Sequence, residues 1–479
     1  MTPSADDFPA SRKPVVPALS RSTDPNNPKS IPVSRDRIVI IDAIRGIAIL
    51  GILMVNINWF GMPFQYNMDL NLHNEYSGPN YYIWIFSNSI FEGSFRALFS
   101  LLFGASTLLL LHRAEKKADG LAPADFYYRR LIWLLVFGLV NAFVFLWPAD
   151  ILYPYALCGF FLYPFRNLKA RHLLYFGLAV ILVSGIKSTN RMYNLKSLRE
   201  KGETALMLES RGVGLTEEQQ EDRKNWLQYE DMNNTAALRK QADAQNTVLH
   251  KKYFDISRYY KTMSENFESV NLYLYDFWDV LSFFFIGMAL FKWGILTAER
   301  SKKFYWTIFV VGYSVGLCLG LLILRAHIRT HFDDTRTAGL LYVDFYQEKR
   351  LFMSMGHLGL IMLLYKYHVI DGIIRTLARV GQMTLTNYLM QSILCGLFFY
   401  GFGFGEFGKL QRYQLYYVVL GVWAFQILFS NIWMSYFRFG PFEWLWRSLT
   451  YWKLQPLRKE KEVQPIPLPI GATALNKAQ

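Results

Sequence analysis

The sequence predicts an all-α integral membrane protein, a polytopic helical bundle of about ten transmembrane helices, on three observations. Hydrophobic residues make up 52% of the chain and aromatic residues 17%, against 18% charged, which is more apolar surface than one soluble core can hide. Apolar runs close to or above the roughly 20 residues that cross ~30 Å of hydrocarbon recur along most of its length. Only a helix satisfies every backbone group inside such a run.

Residues 1–37 are polar and rich in Pro and Ser, and they read as a disordered cytoplasmic tail. The run that follows continues through Ile44–Leu53 into Trp59 and Phe60 with no small-residue cleavage pattern, so it reads as a retained helix rather than a signal peptide. Residues 38–186 are expected to hold membrane helices 1–5, at Ile38–Phe60, Tyr81–Leu111, Leu131–Trp147, Ile151–Phe165 and His172–Ile186. Residues 187–273 mix charges of both signs with helix formers and read as an extracytoplasmic helical insertion. Residues 274–453 are expected to hold helices 6–10, at Leu274–Gly294, Phe304–Leu324, Arg350–Tyr365, Gly381–Gly401 and Tyr413–Ser435, and 454–479 a cytoplasmic tail. Connections rich in Lys and Arg alternate with poorer ones, which places both termini in the cytoplasm. The formal charge of +14 then belongs to loops that meet anionic lipid, and nucleic acid is not an expected partner. Oligomeric state is not legible.

The three cysteines lie in apolar runs and read as packing residues, so neither a disulfide framework nor a metal site is expected. His327 and His331 have metal-compatible spacing, but they border a loop crowded with Arg325, Arg329 and Arg336. Phosphate-loop and dinucleotide fingerprints are absent from the sequence.

Chemistry is sought among the polar residues that a bilayer should exclude. Asp42 and Arg45 are three apart on the first helix and share a face, with Asn56 and Asn58 toward its other end. Glu92 and Arg96 are four apart, in the order that favours an intrahelical pair. Thr384, Asn387 and Gln391 line one face of the ninth helix, and Asp150, beside Pro148, falls at the outer end of a tight connection. Gln347, Glu348, Lys349 and Arg350 can enter a membrane only beside protein, water or ligand. Each of these residues also has a plain account as interhelical glue.

Asp42-Ala43-Ile44-Arg45-Gly46 with the apolar helix after it and Asn56 resembles the opening of the YeiB-type family of bacterial membrane proteins. Phe95–Gly104, Asp150-Ile151-Leu152 with Tyr155-Ala156, Gly287–Leu290, Val380–Leu389 and Gly440–Arg447 extend the resemblance along the chain in one order. The resemblance implies a bacterial inner membrane location and adds Glu443 and Arg447 to the candidate binding residues. The opening helix is also similar to that of heparan-glucosaminide-type acetyltransferases, which implies acyl-CoA as donor, no metal, and a small-molecule or envelope-glycan acceptor. In those enzymes a His in the first outer loop handles the acetyl group, and His73 occupies the corresponding loop here several residues further along. At Asn141 this chain departs from the His that YeiB-type proteins commonly carry in a Gly-Leu-x-His pattern.

Two functions are therefore expected in competition. In the first, an acyl group moves from cytosolic acyl-CoA to an envelope acceptor. Asp42, Arg45, Asn56, Glu92, Arg96, Glu443 and Arg447 would bind substrate or cofactor, Asn387 and Gln391 would donate to the oxyanion, and His73 would act as base with Asp150 orienting it. Its loop holds Asp69 and Glu75 and no Lys or Arg, an environment that favours the charged imidazole. In the second, the intramembrane charges mark an ion or solute pathway.

Overall fold

The computed structural model describes residues 38–116 and 120–459; the tail at 1–37 and the part of the C-terminal tail beyond 459 lie outside the described residues. All regular structure described is helical, apart from one isolated bridge between Phe437 and Arg458.

Helix α1, Val39–Gly61, is the axis of the bundle. Its apolar window is 78% buried by protein, whereas that of the later helix Lys302–Arg329 is only 22% buried and faces outward. The second span breaks into α2, Gly78–Phe86, and α3, Ser94–Glu115, which are joined by a π-helical turn and by Gly93 at φ 70°. Next come α4, Ala122–Phe143, and α5, Leu152–Phe160. Helix α6, Ala170–Ser210, follows, then α7, Glu217–Asn233, and α8, Thr235–Leu249. Helix α9, Tyr253–Lys292, is π-helical through Phe267–Asp276. Helix α10 is Lys302–Arg329, α11 Tyr346–Lys366 and α12 Asp371–Gln382. The chain continues through α13, Thr384–Phe399, α14, Arg412–Tyr436, and α15, Pro441–Tyr451.

Among the described residues, seven helices are long and apolar enough to cross a membrane. The other three predicted spans also form helices, namely α5, α11 and α13. The nine residues of α5 reach only ~14 Å at 1.5 Å per residue, about half of a bilayer core, so the count of ten is approximate.

Close helix approach is achieved through glycine, as expected where lipid offers no hydrophobic drive for association. A Cβ on Gly381 of α12 would overlap the carbonyl of Asp42, and one on Gly287 of α9 would overlap that of Leu101. The boundaries drawn at 186/187 and 273/274 both fall inside continuous helices. The 41 residues of α6 rise ~62 Å, about twice a bilayer core, so α6 and α9 carry the bundle directly into the intervening segment. That segment packs back on the bundle: the amide of Gly401 donates to the Leu249 carbonyl at 2.8 Å, and the amide of Phe64 to Gln245 Oε1 at 3.0 Å.

Candidate functional site

At the N-terminal end of α1, Arg45 donates to Asp42 Oδ1 at 2.8 Å and also to Ser106. The i,i+3 pair read from the sequence therefore forms. Arg130 of α4 lies within electrostatic reach of Arg447 of α15 and of Arg45. The Arg130 guanidinium lies 3.5 Å from the ring centroid of Trp446, whose indole N–H donates to the Arg130 carbonyl at 2.8 Å. Arg447 covers Phe439 at 4.4 Å. Glu443 is engaged elsewhere. Its carboxylate accepts the Thr386 N–H at 3.0 Å and the Thr386 hydroxyl at 2.5 Å, satisfying the start of α13.

Deeper in the bundle, Asp150 is buried rather than exposed at an outer rim. It accepts from Asn141 Nδ2 at 2.7 Å, from the Tyr153 N–H at 2.8 Å and from the Tyr388 hydroxyl at 3.2 Å. The position at which the resemblance implies His thus contacts Asp150 directly, as an amide in this chain.

His73 is far from this arrangement in its contacts. Its exposed ring packs at a tilt against that of Tyr66, with centroids 3.9 Å apart and planes 57° from parallel, and its charged neighbours are Glu75, Arg412 and Arg239. The structure does not bring His73 and Asp150 together. The expected charged imidazole is also reversed: packing lowers its pKa, and Arg412 and Arg239, arriving from other elements, oppose the pull of Glu75. Glu75 itself is bound to Arg412 at 2.8 Å. In a 15N NMR titration His73 is expected to lose its proton below the ordinary histidine value of about 6.5.

Asn387 and Gln391 are not available as oxyanion donors, because an amide NH2 has two hydrogens and both are occupied. Asn387 donates to the Val380 carbonyl at 3.0 Å and to Ser430 Oγ at 2.9 Å; Gln391 donates to the Ile49 carbonyl at 3.1 Å and to Gln426 Oε1 at 3.2 Å. They join α13 to α1, α12 and α14. Asn56 is half-buried, and it is Asn58 that turns inward, 3.4 Å from the Tyr416 hydroxyl.

Glu92 and Arg96 do not pair with each other. Gly93, in the left-handed region, ends the helix between them and points the two side chains to different partners. Glu92 binds Lys349 Nζ at 3.1 Å and the Tyr346 hydroxyl at 2.8 Å, whereas Arg96 binds Asp276 at 3.0 Å and Asp279 at 2.9 Å. Arg350, fully buried, completes the set by donating to Asp279 and, at 3.0 Å, to the Gly93 carbonyl. Three cations and three anions from three helices and the Glu92–Gly93 break thus form one network, and Lys349 and Arg350 enter the bundle beside protein as their charge requires. A cavity of about 190 Å³ adjoins it, lined by Arg96, Lys187, Ser188, Asp276, Asp279 and Tyr346 among others. No group of three His, Cys, Asp or Glu side chains among the described residues could hold a metal ion.

A family described as a protein of unknown function (DUF418) matches residues 290–453. The uncharacterised protein YxaH of Bacillus subtilis (strain 168) is 29% identical over 90% of this chain and 98% of its own length. The uncharacterised protein YeiB of Escherichia coli (strain K12) is 27% identical over 87% of this chain and 96% of its own. No solved structure matches the chain.

Proposed function

We propose that this chain, similar along most of its length to the uncharacterised proteins YxaH and YeiB, transfers an acyl group from cytosolic acyl-CoA to an acceptor hydroxyl or amine reached through the bundle. The observation that carries this reading is the convergence of Arg45, Arg130 and Arg447 at one end of the bundle. Three guanidinium groups stand there against the carboxylates of Asp42 and Glu443, one bound to Arg45 and the other to the start of α13. Guanidinium forks match phosphate oxygens geometrically, and the diphosphate and 3′-phosphate of CoA present several such oxygens. The acyl thioester would then extend along α1 toward Asp150. Saturable binding of acetyl-CoA to the purified protein, competed by CoA, is the test; absence of binding to folded protein removes the reading.

This reading sets the end of α1 that holds Arg45, with both termini, in the cytoplasm of a bacterial inner membrane. In a variant lacking Cys158, Cys318 and Cys395, a cysteine at exposed Ser210 is expected to react with an impermeant thiol reagent in intact cells, and one at exposed Lys453 to resist it. Reaction at Lys453 in intact cells inverts the topology.

A second reading, movement of a polar solute, has its own support in the six-charge network beside the cavity, because charges kept at membrane depth also mark solute pathways. Uptake of a solute by proteoliposomes, lost on neutralising Arg96 and Asp276 together, would favour it.

A further inference from the structure

Beside Asp150 stands a carboxylate that no interaction described so far uses. Glu268 of α9 is only 9% exposed, and neither of its carboxylate oxygens has a hydrogen-bond partner among the described residues. A buried polar group left this way costs about 1–3 kcal/mol, more if charged, and a catalytic role is one of the reasons for which such a cost is kept. The acids whose charge reaches it are Asp150, from the connection between α4 and α5, and Asp276, on its own helix; Tyr153 of α5 also faces it. Asp150 is oriented by three donors, while Glu268 faces the same interior with none.

The backbone gives Glu268 its aim. From Phe267 to Asp276, α9 is π-helical, an arrangement that turns side chains away from the direction an α-helix would give them and that recurs at functional sites. The segment is anchored on both sides. The Phe267 ring meets Trp59 of α1 at 6.1 Å, and Ser264 Oγ donates to the Ala142 carbonyl at 3.4 Å. Arg45 and Trp59 lie on the same uninterrupted helix, so roughly 21 Å of α1, at 1.5 Å per residue, separates Arg45 from the neighbourhood of Glu268. An extended pantetheine arm with its acyl group covers a span of that order.

We infer that Glu268 is the proton acceptor of the acyl transfer, an assignment that rests on the acyl-CoA reading above. The acceptor's oxygen or nitrogen attacks the thioester carbonyl carbon, and the Glu268 carboxylate takes the proton it sheds. A C–O or C–N bond forms, and the C–S bond breaks with its electron pair on sulfur. The proton then passes from Glu268 to the CoA thiolate, which leaves an ester or amide, free CoA thiol and the original carboxylate. Asp150 is a positioning residue in this scheme, holding the α4–α5 connection against Asn141 and Tyr388.

The test uses the full chain, purified in detergent, with acetyl-CoA as donor and ethanolamine, which offers both an amine and a hydroxyl, as probe acceptor. Glu268→Gln is expected to lower kcat for CoA thiol release by roughly 10²-fold or more, the usual contribution of a positioned base. Acetyl-CoA affinity should be unchanged, and Glu268→Asp should restore part of the rate. Independently of any variant, dicyclohexylcarbodiimide should inactivate the wild type with its adduct on Glu268, and bound acetyl-CoA should slow that reaction. Wild-type turnover in Glu268→Gln, or inactivation with the adduct elsewhere, overturns the assignment and leaves the transfer reading standing. Folded wild type that binds acetyl-CoA and releases no thiol overturns the transfer reading, and the assignment with it.

Discussion

Asp279→Asn is expected to remove about 3–5 kcal/mol of stability, the usual cost of breaking a buried ion pair from one side. Asp279 is the hub of the six-charge network: one oxygen accepts from Arg350, whose side chain is 0% exposed, and the other from Arg96 at 2.9 Å. Without its charge, Asp276 and Glu92 remain against Arg96, Lys349 and Arg350, and the Arg350 guanidinium, which has no exposed surface, keeps only neutral acceptors such as the Gly93 carbonyl. Set against a total stability of ~5–15 kcal/mol, the loss should appear as collapse of folded yield in a size-exclusion assay of detergent extracts. Asp276→Asn should be milder, because the side chain of Asp276 is 20% exposed and that of its partner Arg96 32%, so water can solvate what is left. The double change Asp279→Leu with Arg350→Met restores neutrality with apolar volume and should recover much of the yield, as paired replacements of buried ions do. Normal yield in Asp279→Asn alone would show that the network carries no folding energy.

The second large effect concerns ligand affinity. Arg130→Gln and Arg447→Gln should each raise the Kd for acetyl-CoA by about 10- to 100-fold, the equivalent of about 1.5–3 kcal/mol for a charge-assisted contact to phosphate. A CoA fragment without its phosphates should bind wild type and variants alike, because the arginines would then have nothing to hold. Equal Kd for acetyl-CoA in wild type and both variants would detach the cluster from CoA.

What the sequence disclosed and withheld follows from the range of each signal. Hydropathy located the helices because a bilayer imposes a length on every span, and the i,i+3 spacing of Asp42 and Arg45 sufficed for a pair within one unbroken helix. The same rule failed for Glu92 and Arg96, because it assumes continuity and Gly93 interrupts the helix between them. Their actual partners lie more than 170 positions away, beyond any periodicity. A signal for them did exist: Lys349 and Arg350 require anions at the same depth, and Asp276 and Asp279 are acids at the edge of an apolar run. Asn387 and Gln391 looked like free donors because sequence cannot show that Val380, Ser430, Ile49 and Gln426 already occupy their hydrogens. Glu268 escaped notice for a compositional reason, since it sits in a strongly charged stretch although α9 carries it into the bundle. Arg130 was visible only as one of many basic residues, and its meeting with Arg45 and Arg447 required three helices to be placed.

The most direct measurement of acyl transfer is product stoichiometry. Purified protein is incubated with acetyl-CoA labelled in the acetyl group and with ethanolamine, and free CoA and acetylated ethanolamine are quantified by mass spectrometry. Equal amounts of the two, formed at a rate that saturates with acetyl-CoA and falls in Arg130→Gln, are the expected result. Recovery of intact acetyl-CoA beside unmodified ethanolamine, from protein that remains folded and monodisperse, would contradict acyl transfer from acyl-CoA.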